Sequence, residues 1–353
     1  MYPNFKILPK EAKADLKARI AESIAFEKRR VRRKRLRIAS WSVAAVFCIL
    51  LGLVTVVKQD PQSVQLSPIE QFANSAESPE SFEKSDQVKL VLANQEAVTI
   101  GDSTTIAYDA SGNKIQVNDK QINQKKSTEL QYNKVLVPYG KRAQLSLADG
   151  TLVWLNSGSK LIYPTSFSGE NREVFLEGEG IFDVAHNAEK PFFVRAANNY
   201  SVRVLGTLFD VSCYPGDAKV STALLRGKVQ VAYAKKGFFG SDTIQAVLKP
   251  GMIAALDKKQ QTIKTSVQNV ESLFSWRKGY YEFNQERLSL VLDKLTRYYN
   301  VDFVLKNKEV SPKETYSGAF KLNDDLDKVV KTLEATTGLE FVYDAENREI
   351  TIN

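Results

Sequence analysis

The sequence predicts a membrane-anchored protein with a single transmembrane helix, an all-β sandwich-like or β-solenoid-like domain, and a small α/β module of two β-α-β repeats. Three observations predict this class: an uncharged apolar run, a series of short period-two runs broken by turn residues, and an internal repeat of 18 residues. The expected boundaries are a cytoplasmic tail at 1–37, a transmembrane helix at 38–57, a flexible stalk at 58–87, an all-β domain at 88–270 and the α/β module at 271–353.

The apolar run "IASWSVAAVFCILLGLVTVV" occupies residues 38–57 and carries no charge. At a rise of about 1.5 Å per residue such a helix spans roughly 30 Å, the thickness of a bilayer's hydrocarbon core. Because positive flanking residues stay in the cytoplasm, a basic cluster before the run predicts a single-pass protein of the inner membrane, with its N-terminus inside and its later domains in the periplasm. The topology determinants are Lys28, Arg29, Arg30, Arg32, Arg33, Lys34, Arg35 and Arg37.

This cluster carries the whole excess charge of the chain. The net charge is +8, from 49 basic and 41 acidic residues, so the chain without the cluster is neutral. A neutral body lacks the positive face that binds nucleic acid, and no direct nucleic-acid partner is expected.

His186 is the only histidine, which argues against His-based metal sites and Ser-His or Cys-His catalysis. We therefore expect no catalytic residue, metal or cofactor.

The segments on either side of the membrane run differ in pattern. Before it, Leu16, Ile20 and Ile24 recur at four-residue spacing among charges, which predicts one amphipathic helix. After it, residues 58–87 are rich in Ser, Gln, Glu and Pro, as is typical of a flexible stalk.

The all-β prediction depends most on "AQLSLADGTLVWL". Asp149-Gly150 suits a two-residue hairpin turn, and that register pairs Leu147 with Leu152 and Leu145 with Trp154.

The terminal repeat, 288–305 and 326–343, carries the buried stripe of an amphipathic helix twice. Each helix lies between strands, so we expect two β-α-β units that share one sheet.

Two groups of residues are candidates for function. Glu177 and Glu179 stand two apart on a predicted strand, where paired carboxylates could do glycosidase-type chemistry. Their spacing is the only support for this, and exposed charges beside glycines are the preferred interpretation. An aromatic cluster could form a binding platform or lie buried under the α/β module. Its members are Trp276, Tyr280, Tyr281 and Phe283.

A series of motifs gives a more specific indication. "VPYGKRAQLSLADGTLVWLNSGSKLIYP", "REVFLEGEGIFDV", "VRVLGTLFDVSCY", "LLRGKVQV" and "FSWRKGYYEF" closely resemble the FecR family of membrane anti-sigma regulators, in its Bacteroidota form. The terminal repeat is similar to the short signalling domain of TonB-dependent receptors and secretins. This resemblance implies two protein partners: an extracytoplasmic-function sigma factor in the cytoplasm and the signalling domain of a TonB-dependent receptor, for iron or glycan uptake, in the periplasm.

One departure from the family keeps alternatives open. Only 37 residues precede the apolar run, with one predicted helix, whose Leu16, Ile20 and Ile24 are the candidate sigma contacts. The aromatic cluster at 276–283 is the candidate receptor contact. The alternatives are a periplasmic sensor or adaptor without sigma binding, and a tethered carbohydrate-binding or hydrolytic β-domain.

Overall fold

The computed structural model describes residues 66–353, with gaps at 76–81, 83–84, 102–103, 119, 125–129, 198, 238–239 and 307–314, and seven positions between 14 and 28. The chain divides into two compact units, Met1–Ser63 and Val64–Asn353. The described positions of the first unit are helical, and Lys28 among them is exposed. Leu16, Ile20, Ile24 and the basic residues from Arg29 to Arg37 lie outside the described residues.

The predicted fold class is wrong. In the described part of the chain no helix is long and apolar enough to cross a membrane, and the predicted span at 38–57 lies outside that part. The described residues form one continuous sheet of 18 strands and a smaller α/β domain. One long strand pairs in both halves of the sheet, so the two halves are continuous.

The sheet is almost wholly antiparallel. Its two parallel pairs join Thr105–Tyr108 to Ala143–Ser146 and Arg172–Asp183 to Phe192–Ala196. Its strands are β1 (Val88–Val91), β2 (Ala97–Ile100), β3 (Thr105–Tyr108), β4 (Lys114–Val117), β5 (Lys120–Asn123), β6 (Tyr132–Val137), β7 (Ala143–Ser146), β8 (Leu152–Leu155), β9 (Ser159–Pro164), β10 (Arg172–Asp183), β11 (Phe192–Ala196), β12 (Tyr200–Val204), β13 (Leu208–Cys213), β14 (Lys219–Arg226), β15 (Val229–Gly237), β16 (Gly240–Leu248), β17 (Met252–Asp257) and β18 (Thr262–Val267).

Strand β10 joins the two halves. Its first part pairs with β9 and β11, and its second part, from Gly178 onward, pairs with β8 and β13. Gly178 has φ +100°, and a Cβ there would lie 2.6 Å from the Ser159 Cα. Only glycine fits this position, because other residues would be strained in the backbone and would collide with the neighbouring strand.

The main core contains alternate residues from both halves, as the period-two pattern requires. The hairpin of β7 and β8 contributes to it with a register different from the predicted one. Leu145 pairs with Val153, and the loop holds three residues that end at Gly150 with φ +82°. This three-residue loop shifts the pairing by one position, so Leu145 and Val153 share the buried face while Trp154 points to the other face.

One short helix packs on the outside of the sheet. Helix α1 (Pro68–Ser75) lies within the segment predicted as a stalk. Ile69 and Ala73 on this helix pack against Ile162 of β9 and Phe175 of β10. The chain therefore contacts the sheet from Ile69 onward, before the first strand begins at Val88.

The terminal domain follows a 3₁₀ helix at Glu271–Lys278. Its elements are β19 (Tyr280–Arg287), α2 (Leu288–Tyr299), β20 (Asp302–Leu305), β21 (Thr315–Lys321), α3 (Leu326–Thr337), β22 (Phe341–Asp344) and β23 (Glu349–Ile352). The prediction of one shared sheet is wrong. The first strands of the two repeats, β19 and β21, pair with each other, while β20, β23 and β22 form a second sheet. Helix α2 contacts strands of both sheets, and its stripe of four buried residues is covered from two sides.

Candidate functional site

A second apolar cluster joins the sheet to the terminal domain, and we call it the junction. On the sheet it begins with a row of cross-strand neighbours on β8, β10, β13, β14 and β17, in the order Trp154, Ile181, Asp210, Ala223 and Ile253. All but Asp210 belong to the cluster or pack against it. A single carboxyl therefore interrupts an otherwise apolar row.

The 3₁₀ helix and the first strand of the terminal domain cover this row. Phe274 and Trp276 from the 3₁₀ helix, and Tyr281 and Phe283 from β19, are buried in the same cluster as Ile181. Trp276 is only 1% exposed. The terminal domain is thus packed on the sheet through a continuous hydrophobic contact.

A buried hydrogen-bond network crosses the junction beside these aromatic rings. The Asn156 Nδ2 donates to the Glu179 Oε2 at 2.7 Å and to the Tyr281 hydroxyl at 3.1 Å. The Ser159 hydroxyl donates to the Glu179 backbone oxygen at 3.1 Å. Burial, followed by the charge of Glu179, raises the pKa of the Tyr281 hydroxyl. Asn156 and Glu179 on the sheet thereby hold a side chain of the terminal domain in a water-excluded site.

Two arginines connect the parts at the edge of the junction. The Arg142 guanidinium donates to the Trp276 backbone oxygen at 2.9 Å. From α2, the Arg297 guanidinium lies 3.8 Å from the centre of the Tyr214 ring and forms an ion pair with Asp217. A cation over an aromatic face is stabilising, more so when water is excluded. These contacts fix the orientation of the terminal domain.

Asp210 is the one group of the junction whose charge is poorly accommodated. It is 3% exposed, and its Oδ1 has no hydrogen-bond partner among the described residues. Burial raises the pKa of this carboxyl well above its ordinary value, and the charge of Glu179 raises it further, while Lys294 on α2 acts in the opposite sense. The neutral form is therefore favoured while the terminal domain is packed on the sheet.

Comparisons with known protein families match the parts on the two sides of the junction. Residues 133–230 match the FecR protein family, and residues 280–352 match the family of FecR C-terminal domains. The chain carries both domains of the FecR family. We call the 18-stranded sheet the FecR domain and residues 280–352 the FecR C-terminal domain.

Two solved structures of a Parabacteroides distasonis ATCC 8503 protein, provisionally described as an anti-sigma factor, resemble this FecR protein. Each is 28% identical and has a TM-score of 0.54, and the alignments cover 62% and 63% of this chain and 98% of the other. The curated proteins contain no match to this chain. The similarity thus extends over nearly the whole length of the Parabacteroides chains.

The aromatic residues singled out in the sequence meet at the junction. Trp276, Tyr281 and Phe283 are buried, and Tyr280 is partly exposed. Burial under the α/β module, one of the two interpretations considered, is confirmed for these three. Direct receptor contact through them stays a prediction, and it would require the C-terminal domain to move away from the FecR domain.

The two glutamates have separate partners. The Lys160 Nζ lies 2.6 Å from the Glu177 Oε2, whereas Glu179 is buried and bonded to Asn156. Gly178 between them has φ +100° and changes the direction of β10. The alternation of side chains that predicted a common face for the two glutamates is therefore interrupted at Gly178.

His186 lies exposed in a loop. Within the described part of the chain, no group of three or more His, Cys, Asp or Glu residues could hold a metal ion.

Sequence reasoning missed Asp210, Asn156 and Arg142. Asp210 alone carried a usable signal, since it is the only charge in the apolar strand "LFDVSCY". The other two are polar residues near turns, where such residues are common and indicate nothing by themselves.

A separate exposed surface lies on the three-stranded sheet of the C-terminal domain. Val304, Thr351 and Val342 form one cross-strand row on its outer face, in which the two valines are exposed and Thr351 between them is buried. Beside it, Asp302, Glu349 and Asp344 form a row of carboxylates. Val342 is 49% exposed, and β22 pairs along one side only within the described residues. An apolar strip next to an open strand edge, flanked by acidic groups, can accept another protein chain.

Proposed function

We propose that this FecR protein is an anti-sigma regulator that transmits a signal from a TonB-dependent outer-membrane receptor to an extracytoplasmic-function sigma factor. The observation that carries this proposal is the ordered pair of FecR-family domains, packed through one buried junction and similar to a protein described as an anti-sigma factor. The FecR domain and the C-terminal domain would act in the periplasm. There they would meet the signalling domain of the receptor, while the residues at the start of the chain would contact the sigma factor.

The geometry favours the outer sheet face of the C-terminal domain as the receptor contact. Val304 and Val342 of its apolar row and the open β22 edge are accessible while the junction is closed, unlike the buried aromatic cluster. Strand addition at such an edge supplies main-chain hydrogen bonds, and the row beside it selects apolar side chains. The carboxylate row would favour a partner strand with basic residues.

The variant Val342→Asp tests this contact. It places a charge in the apolar row, and the affinity for the purified signalling domain of the receptor encoded nearby is expected to fall at least about tenfold, as for a central interface residue. Isothermal titration calorimetry with the full chain measures the dissociation constant.

The matched control is Val267→Asp, which changes a valine of the FecR domain that is 79% exposed at the end of β18. Its affinity should equal that of the parent. Equal affinities of the parent and the Val342→Asp chain, or equal losses in both variants, would remove the outer face from the proposal.

A periplasmic sensor without sigma binding is the alternative. It rests on the outer sheet face of the C-terminal domain, which supports a receptor contact and bears on no sigma contact. Co-purification of residues 1–37 with the sigma factor encoded nearby separates the two. A segment that captures no sigma factor, in a protein that still binds the receptor domain, would leave the sensor.

A further inference from the structure

Asp210 is placed where its charge depends on whether the two FecR-family domains touch. It lies on β13 between Ile181 of β10 and Ala223 of β14, and the apolar row continues to Ile253 of β17. Phe274 and Trp276 cover the same cluster. A carboxylate in such a place loses its hydration without gaining a full set of partners, because its Oδ1 accepts no hydrogen bond from the described residues.

The groups that face Asp210 do not neutralise its charge completely. Glu179 of β10 lies on the same sheet face, two positions along the paired strand, and repels a second negative charge. Lys294 of α2 attracts it but is only partly buried. The Cys213 thiol on β13 also interacts with it, and burial raises the pKa of that thiol.

Helix α2 also brings the Arg297 guanidinium, which pairs with Asp217, and Asp293, whose carboxyl pKa is raised by burial and lowered by the charge of Arg297. The 3₁₀ helix contributes Arg277, whose guanidinium lies 5.5 Å from the centre of the Trp154 ring. Strand β19 contributes Tyr281, and Tyr214 follows β13. Burial raises the pKa of both hydroxyls, so that both stay neutral. Ala223 and Ile253 bring no charge to the row. Asp210 is thus the one titratable group within the apolar row itself.

We propose that Asp210 is a proton-gated latch between the FecR domain and the C-terminal domain: its neutral form lets the C-terminal domain stay packed on the sheet, and its ionisation releases that domain. The direction follows from linkage. The pKa of the Asp210 carboxyl is higher in the closed state than in the open state. Such a group stabilises the closed state fully at a pH below its ordinary pKa. This stabilisation is lost as the pH rises through the pKa of the closed state. The latch therefore closes in acid and opens as pH rises.

Hydrogen exchange of the full chain between pH 5 and pH 8, corrected for the intrinsic pH dependence of exchange, measures the latch. One linked proton predicts that the opening constant of the junction, read from the amides of β19, rises about tenfold for each pH unit within the window. The amides of β11 and β12, in the main core of the FecR domain, should keep their protection across the same range. Because this readout requires neither partner, its result is separate from that of the proposed function.

The variant Asp210→Asn keeps the shape of the neutral carboxyl and cannot ionise. It should abolish the pH dependence and leave the β19 amides at least tenfold more protected than in the parent at pH 8. The exposed Asp242 on β16 provides the control, since Asp242→Asn changes the net charge equally and should retain the dependence of the parent. An unchanged pH dependence in Asp210→Asn would overturn the latch.

A second variant decides the matter even if Asp210→Asn does not fold. Lys294 favours the ionised carboxyl, so Lys294→Met should move the pH at which the dependence levels off upward. A midpoint that stays in place or moves down would overturn the proposal.

Discussion

Trp276→Ala is expected to lower the free energy of unfolding by about 3–5 kcal/mol, the usual loss for truncating a buried aromatic side chain. The larger consequence is that the two FecR-family domains should no longer unfold together. Trp276 connects the two sides of the junction, since its ring packs in the cluster that contains Ile181 and Tyr281 and its backbone oxygen accepts from Arg142. Hydrogen exchange of the β11 and β19 amides, measured along a urea titration, monitors the unfolding of each domain. The two sets of amides should lose protection in one shared unfolding transition in the parent and in two separate transitions in the variant.

The control for this prediction is Phe192→Ala. Phe192 is fully buried in the main core of the FecR domain, away from the junction, and its truncation should cause a loss of similar size. Here β11 and β19 should still unfold in one transition. Two transitions in both variants, or one in both, would show that the junction does not couple the domains.

Asp149→Ala is the second substitution with a large expected effect. Asp149 follows β7 in the hairpin loop, and its Oδ2 accepts from the Arg172 guanidinium at 2.7 Å. The Arg172 side chain is 3% exposed, and it also donates to the backbone oxygens of Ala185 and Lys190. Removing the carboxylate leaves a buried cation without its counter-ion, and breaking a buried pair in this way costs about 3–5 kcal/mol. Urea denaturation measures the loss.

The same FecR domain offers an exposed pair of the same residue types for comparison. The Arg226 guanidinium lies 2.9 Å from the Asp183 Oδ1, but its side chain is 69% exposed. Since water and salt screen such a pair, Asp183→Ala should cost no more than about 1 kcal/mol. Equal losses for Asp149→Ala and Asp183→Ala would contradict the role assigned to burial.

The local features that could be predicted from sequence share one property: they depend on neighbouring residues. The four-residue stripe of each terminal helix is buried or half-buried as expected, and the helices end at Asn300 and Gly338, both in the left-handed conformation. The helix starts differ between the two repeats, because Arg287 precedes α2 without a capping side-chain bond and Asp325 precedes α3. At the second, the Asp325 carboxylate accepts from the Lys328 backbone N–H at 2.8 Å, which satisfies a free donor of the first turn.

Features set by contacts between distant residues could not be predicted in the same way. The sequence around Asp149 is compatible with a two-residue and with a three-residue hairpin loop. The three-residue loop forms because it places both Leu145 and Val153 in the main core. Two β-α-β units can share a sheet or exchange strands, and nothing within either repeat distinguishes these outcomes. Glu179 drew attention for its spacing from Glu177, yet its role depends on Asn156 and Tyr281, which lie far from it in the chain.

The most direct test of the account is transcript profiling after deletion of the gene for this FecR protein. An anti-sigma regulator predicts a changed level of one transporter operon under control of the neighbouring sigma factor. Wild-type protein should restore that level, and a chain without residues 1–37 should not. Unchanged transcripts in the deletion strain, together with a perturbed envelope assembly, would contradict the regulatory function.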